Sequence, residues 1–524
     1  MISLLLVILL AAPTAVFAQR TTSTPPPASA PAASPAKPAP DLPLTDTPPV
    51  VTDHQMQVGG RTLRYKATTG MMAMKTESGE MEANMFFVAY TVDAPAGSRR
   101  PLTVCFNGGP GAGSLWLHLG AIGPKRARMN DDGSLPPPPY QLPDNEHTWL
   151  EHSDLVFVDP VGTGYSRARN PEVARKFFGV RGDIESVGQF VRLFLTRFDR
   201  WDSPLFIAGE SYGTTRAAGL SQYLADHGIG LNGVILISAV MNFQTLRFAP
   251  GNDTPYPLYL PTYTATAWYH KKLPADLQKD LQKAIEEARQ YASGPYVQVL
   301  QKGDLLSAEE YSVAVKKLAR LTGLSESYIR LANLRPEIQR FCKELLRPAG
   351  KTVGRLDSRL TGIAPADTAE QPEFDPSMTA IRPPYTAMMN AYARMQLKFS
   401  TDWEYFALGG GITSPWNYDL PGGQGYADTS VNLKNAMAKN PHTKVFIGSG
   451  FYDLATPFHA VEYTISHLGL DPALRSNIRW AEYEAGHMMY IHLPSLEKLK
   501  HDISGFYRFA LRQAGSGSHS TASR

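Results

Sequence analysis

Leu205-Phe206-Ile207-Ala208-Gly209-Glu210-Ser211-Tyr212-Gly213 is the stretch on which the reading of this chain turns. An apolar run of strand length leads into G-x-S-x-G, and residues 214–226 continue with helical patterning. A serine at a sharp strand-to-helix turn projects its hydroxyl from the sheet edge, and the flanking glycines let strand and helix approach without Cβ collisions. A plain turn with a capping serine is the competing reading. The buried strand before it favours a nucleophile at Ser211.

Working outward, the same grammar repeats. Residues 102–106 precede Asn107-Gly108-Gly109-Pro110-Gly111, and residues 155–158 precede Asp159-Pro160-Val161-Gly162-Thr163-Gly164. Residues 233–238 and 444–447 add further short apolar runs, and residues 57–67 and 85–92 carry earlier strand signals. Continuous apolar strands separated by helical stretches predict a mostly parallel sheet buried on both faces. Between about 242 and 440 the texture changes: residues 273–347 have helical periodicity with charged faces, among aromatic and Pro-rich pieces. This predicts a mainly helical cap inserted over the carboxyl ends of the strands, the edge at which open α/β sheets bind ligands. The fold class read from these elements is α/β, of the α/β-hydrolase type.

A serine hydroxyl needs a base, and the base needs an orienting carboxylate. In this fold the order along the chain is Ser, acid, His. Asp453 stands in Gly450-Phe451-Tyr452-Asp453 beyond the strand at 444–447, and His487 stands in Ala485-Gly486-His487 beyond residues 480–484. Both come after Ser211 and at strand exits. His459 and His492 are rivals without a small residue at a clean exit. Oxyanion stabilisation calls for preorganised backbone N–H groups. The glycine-rich turn after residue 106 and the residue following the nucleophile supply them, in the N–H groups of Gly109 and Tyr212.

Asn107-Gly-Gly-Pro-Gly111, Asp159-x-x-x-x-Gly164-Tyr165-Ser166, Gly209-Glu-Ser-Tyr-Gly213, Gly450-x-x-Asp453 and Ala485-Gly486-His487, taken together, resemble the serine carboxypeptidase family from about residue 51 to 512. The resemblance implies removal of single residues from peptide C-termini through an acyl-enzyme. It also implies a substrate-carboxylate site in which Asn107 donates from its side chain, Gly108 donates from its N–H, and Glu210 donates as a neutral acid. An ionised Glu210 would repel the substrate carboxylate, so binding raises its pKa and peptide affinity falls as pH rises. The chain departs from the family pattern where a second Glu commonly stands in Glu-Leu-Gly-Pro. Leu117-His118-Leu119-Gly120-Ala121-Ile122-Gly123-Pro124 puts Ala121 there without a gap, or His118 with one. The family's cysteine after the oxyanion turn is Ala112, and its disulfide set is absent. An esterase or acyltransferase on the same scaffold is the alternative, and a non-catalytic binding protein that kept the fold is a further one.

The rest of the chain bounds the reading. At 524 residues it is too long for one ordinary core, which suits a large domain with an insertion. A net charge of +3 with 19% charged residues gives no basic field for nucleic acid. Residues 1–18 read as a signal peptide and residues 19–50 as a Pro/Ala-rich flexible spacer. Core follows at 51–241, cap at 242–440, core again at 441–514, and a polar tail at 515–524. The expected location is secreted or periplasmic, with no stable membrane insertion after cleavage. Cys105 and Cys342 are the two cysteines. Without CxxC spacing they offer no zinc site, and neither a metal nor another cofactor is expected. The run Gly354-Arg355-Leu356-Asp357-Ser358-Arg359 has no assigned role beyond an internal ion-pair turn.

Overall fold

Residues 41–93, 99–419 and 425–512 are described by the computed structural model. The expected signal peptide, residues 19–40 of the expected spacer, and residues from 513 onward lie outside them. The near end of that spacer is docked rather than free: Leu42 N–H donates to Arg169 O, and Thr45 exchanges backbone bonds with the Asn84 side chain.

One sheet organises the chain. Its strands are β1 (Val50–Val58), β2 (Arg61–Lys75), β3 (Met81–Val92), β4 (Leu102–Phe106), β5 (Asp154–Val158), β6 (Arg167–Ala168), β7 (Leu205–Glu210), β8 (Gly233–Ile237), β11 (Lys444–Gly450) and β12 (Ile478–Tyr483). The intervening β9 (Lys351–Val353) and β10 (Thr361–Ile363) form a separate hairpin. The spatial order is β1-β2-β3-β5-β4-β7-β8-β11-β12, with β6 beside β3. β1, β2 and β3 pair antiparallel, and from β5 to β12 neighbours run parallel. A mainly parallel sheet with helical crossovers and a sharp strand-to-helix turn after a central strand is the α/β-hydrolase fold. The strand signals at 57–67 fall on two strands, the end of β1 and the start of β2. Gly59 and Gly60 take φ of 55° and 74°, and Val58 pairs with Arg61 across a two-residue hairpin turn.

The apolar strands are explained by burial on both faces. Phe206, Ala208, Ile235 and Ile237 enter one core cluster, while their neighbours Ile207, Val234 and Leu236 enter another. The helix Tyr212–Asp226 covers the second face, and Leu493–Leu511 covers the first.

Between β8 and β11 lie the helices Pro255–Tyr269, Leu281–Ala292, Ala308–Thr322 and Pro376–Met395, among others. Tyr259, Tyr263, Phe341 and Cys342 pack into a core of their own there, with Tyr263 stacked on Phe341 at 4.0 Å. Cys342 is thus in a different cluster from Cys105, and both are free, buried thiols. No described helix is long and apolar enough to cross a membrane.

The turn at Ser211 depends on close backbone contact. A Cβ on Gly209 would overlap the carbonyl oxygen of Gly213. Gly209→Ala is therefore expected to cost about 1–3 kcal/mol of stability, as overpacked sites do. A thermal or denaturant melt checks this, and an unchanged midpoint would show that the turn relaxes freely.

Candidate active site

Ser211 has φ 59° and ψ −132°, outside the regions a non-glycine residue ordinarily occupies. Surrounding bonds impose this conformation: Ser211 N–H donates to Ile237 O of β8, and Ser211 O accepts from Thr214 N–H and its hydroxyl. Strain of this kind persists only where neighbours over-determine it, and it concentrates at reactive turns.

Asp453 and His487 are brought together. Asp453 Oδ2 accepts from His487 Nδ1 at 2.7 Å and from the Thr456 hydroxyl at 2.7 Å. Its Oδ1 accepts from the N–H groups of Ala455 and Thr456 at 2.8 and 3.0 Å. A carboxylate only accepts, so Nδ1 of His487 carries the proton and Nε2 is left as the basic nitrogen. Burial pulls the imidazolium down, but the Asp453 charge and hydrogen bond outweigh it, so the His487 pKa stands above its ordinary value. His459 and His492 bond instead to Glu462 and Ser495.

Ser211 reaches the same lip through the backbone. Ser238, next to the Ile237 that holds Ser211 N–H, donates its hydroxyl to His487 O at 2.6 Å, and its carbonyl oxygen lies 3.0 Å from Thr456 Oγ1. Among the described residues the hydrogen bonds of the imidazole go to Asp453 and Thr456, and none closes onto Ser211 Oγ.

The glycine-rich turn meets the turn at Ser211 closely. A Cβ on Gly108 would overlap Tyr212 N, and Gly109 holds φ 99°. The first N–H groups of a helix have no partner inside it, which leaves that of Tyr212 available at this corner. Beneath it, the fully buried Arg216 donates to Asn107 O at 2.6 Å and to Asp183 at 2.8 Å, tying the turn to the helix Val180–Arg197. Asp159 receives Ser114 N–H at 2.7 Å and lies against Gly164, where any Cβ would collide with its carboxyl group. That contact requires glycine at 164.

Glu210 is buried beside Ser211. Its Oε1 accepts from Asn107 Nδ2 at 3.1 Å and its Oε2 from the Tyr490 hydroxyl at 2.6 Å. Burial raises its pKa to about 7, against the lowering effects of His487 and of the two donors. His118 is elsewhere: it stacks on Phe157 at 4.1 Å and bonds to Tyr90. Ala121 has no group to offer. The partner of Glu210 is Tyr490, which no sequence motif marked.

The run 354–359 also has a place at the site. Leu356 O accepts from His487 N–H at 2.6 Å, and Arg355 O from Leu454 N–H at 3.1 Å. Asp357 Oδ2 accepts from Gly486 N–H at 3.2 Å, and Ser358 donates N–H and hydroxyl to Tyr452 O, each at 3.0 Å. Arg359 closes an ion pair on Asp357 at 2.6 Å. Gly486 allows the approach, since a Cβ there would sit 2.5 Å from Asp357 Cα. This strap joins the loop of Asp453 to that of His487. The sequence marked it only as an ion-pair turn, because its bonds to the loops are mostly backbone.

A family model described as serine carboxypeptidase matches residues 59–491. Serine carboxypeptidase-like 36 of Arabidopsis thaliana is 28% identical over 185 residues, 34% of this chain and 35% of that protein. Pheromone-processing carboxypeptidase kex1 of Aspergillus niger is 28% identical over 199 residues, 36% of this chain and 30% of that protein. The chain thus spans about a third of the length of these curated relatives. Among solved structures, a thermostable carboxyl esterase from Bacillus coagulans is similar with a TM-score of 0.34 and 14% identity, covering 84% of this chain and 99% of that one.

The strap yields a prediction. Asp357→Ala frees Gly486 N–H from its acceptor and is expected to lower kcat by roughly tenfold to a hundredfold through misplacement of His487. KM should change little, and Asp357→Asn, which keeps an acceptor, should recover part of kcat. Steady-state kinetics on protein with a native circular dichroism spectrum checks this. A lowered melting temperature with unchanged kcat would reduce the strap to scaffold.

Proposed function

The chain belongs to the serine carboxypeptidase family, and from that membership we propose that it is a serine-type carboxypeptidase, releasing the C-terminal residue of a peptide through an acyl-enzyme on Ser211. In the first half-reaction Ser211 Oγ attacks the scissile carbonyl carbon while His487 Nε2 takes the hydroxyl proton. The negative charge that builds on the carbonyl oxygen is met by the N–H groups of Gly109 and Tyr212. His487 then gives the proton to the departing amine as the C–N bond breaks, leaving an ester on Ser211. Water repeats the sequence: His487 removes its proton, the hydroxide adds to the ester carbon, and Ser211 leaves with the proton returned. Asp453 stays ionised throughout, holding the ring tautomer and stabilising the imidazolium.

The observation that carries the carboxypeptidase reading is Glu210, a buried carboxyl next in sequence to the nucleophile, aligned by Asn107 and Tyr490. A group of this kind, neutral over part of the accessible pH range, can donate to a substrate carboxylate that an ionised one would repel. Asn107 Nδ2 keeps a second hydrogen for the same carboxylate, and Gly108 N–H completes the set.

Two outcomes follow. Ser211→Ala is expected to reduce kcat on N-blocked dipeptides by roughly a thousandfold or more, leaving only the contributions of oxyanion and binding groups. The amidated dipeptide is expected to be cleaved about tenfold to a hundredfold less efficiently than the free acid, the worth of charge-assisted hydrogen bonds. Release of free amino acid measures both. Equal rates on amide and acid would remove the carboxylate site, and turnover of p-nitrophenyl esters without any peptide cleavage would favour an esterase.

A further inference from the structure

The two oxygens of Glu210 are not equivalent. Leu117 N–H donates to Asn107 Oδ1 at 3.0 Å, which fixes the amide so that Nδ2 faces Glu210 Oε1. An amide nitrogen only donates, so Oε1 keeps its lone pair. When Glu210 is neutral its proton therefore resides on Oε2, the oxygen bonded to Tyr490. The protonated oxygen still has a lone pair, so Tyr490 goes on donating to Oε2 while the Glu210 O–H is left for the substrate carboxylate.

We propose that Tyr490 is the specificity-determining partner of Glu210, setting the pH range over which this chain binds a peptide carboxylate. It occupies the role that a second carboxylate commonly has in the resembling family. The inference rests on Glu210 being the carboxylate receptor.

The packing shows how the exchange is accommodated. Tyr490 lies in the short 3-10 turn Met489–Ile491, three residues past His487, with its ring against Gly120. A Cβ on Gly120 would overlap that ring and stand 2.7 Å from the Tyr385 hydroxyl. Gly120 is fully enclosed, and the phenol occupies the space a side chain there would need. The glycine on this turn and the tyrosine after His487 thus form a matched pair.

The chemical difference is in the number of titrations. Two carboxylates in contact share a proton and titrate in two coupled steps. A carboxyl beside a phenol titrates once, because burial holds Tyr490 protonated well above the usual phenol range. The other titratable groups facing Glu210 are His487, Asp453 and, from the helix Pro376–Met395, Tyr385, whose phenol burial also holds protonated. The His487 and Asp453 charges act on Glu210 in opposite directions. The donor on Oε2 is the contact most readily changed without altering charge, and it favours the ionised form.

Tyr490→Phe removes one hydroxyl and tests the role. Kinetics would be measured from pH 5 to 9 with an N-blocked dipeptide and with an ester of the same acyl group that lacks a free carboxylate. Without the donor the neutral acid persists further, so the alkaline limb of kcat/KM for the dipeptide should move up by about one pH unit or more. The ester profile should stay in place. In a Glu210→Gln background the same substitution should move neither. A dipeptide limb that stays put in Tyr490→Phe, or a limb that moves equally for both substrates, overturns the role of Tyr490. If wild type cleaves amidated and free dipeptides equally, the carboxylate reading itself falls and takes this role with it. Should Tyr490→Phe fail to fold, Gly120→Ala, which displaces the ring, must produce the same upward shift.

Discussion

A 2.7 Å hydrogen bond between Asp453 Oδ2 and His487 Nδ1, closed away from solvent, is the contact from which the rest of the site takes its geometry. Burying a carboxylate is costly unless its lone pairs are satisfied, and Asp453 meets that condition with two backbone N–H groups, the Thr456 hydroxyl and the imidazole. The same arrangement fixes the ring tautomer. Its two loops leave adjacent strands, β11 and β12, at their carboxyl ends, and a Cβ on Gly450 would overlap Gly486 O. The convergence is thus a property of strand order, with close backbone packing completing it.

The segment between β8 and β11 also holds this edge in place. Its 354–359 strap is anchored by Asp375 and Ser377 on one side and by Thr266 and His270 on the other. From there it holds the backbone of both loops. The buried Asp357–Arg359 pair is costly in its own right, and such pairs contribute little net stability. Its value is in fixing where Gly486 N–H, and hence His487, is placed. The Arg216–Asp183 pair plays the corresponding part under the oxyanion turn. Two buried ion pairs therefore brace the two halves of the site from opposite sides.

What could be read from the sequence follows from how each feature is encoded. The sheet was legible because β4, β5, β7, β8 and β11 are buried on both faces and so carry unbroken apolar runs. Family motifs marked Asn107, Glu210, Ser211, Asp453 and His487, and the structure brings Asp453 against His487 and Asn107 against Glu210. The edge strands showed as strand signals at 57–67, but the turn at Gly59-Gly60 that divides them was not marked. Tyr490 was illegible: a tyrosine three residues past a histidine has no pattern of its own, and its role exists only because Gly120 leaves room for its ring. The strap was visible as charge but not as function, since backbone groups carry most of its bonds.

The central claim is that one serine, made reactive by the buried Asp453–His487 pair, does the chemistry. A fluorophosphonate probe reports this directly, because it reacts only with an activated nucleophile in a folded site. Labelling the native protein and mapping the adduct by mass spectrometry should place a single modification on Ser211, lost on heat denaturation and in His487→Ala. Native protein that takes up no probe, or takes it up at another residue, would contradict the account.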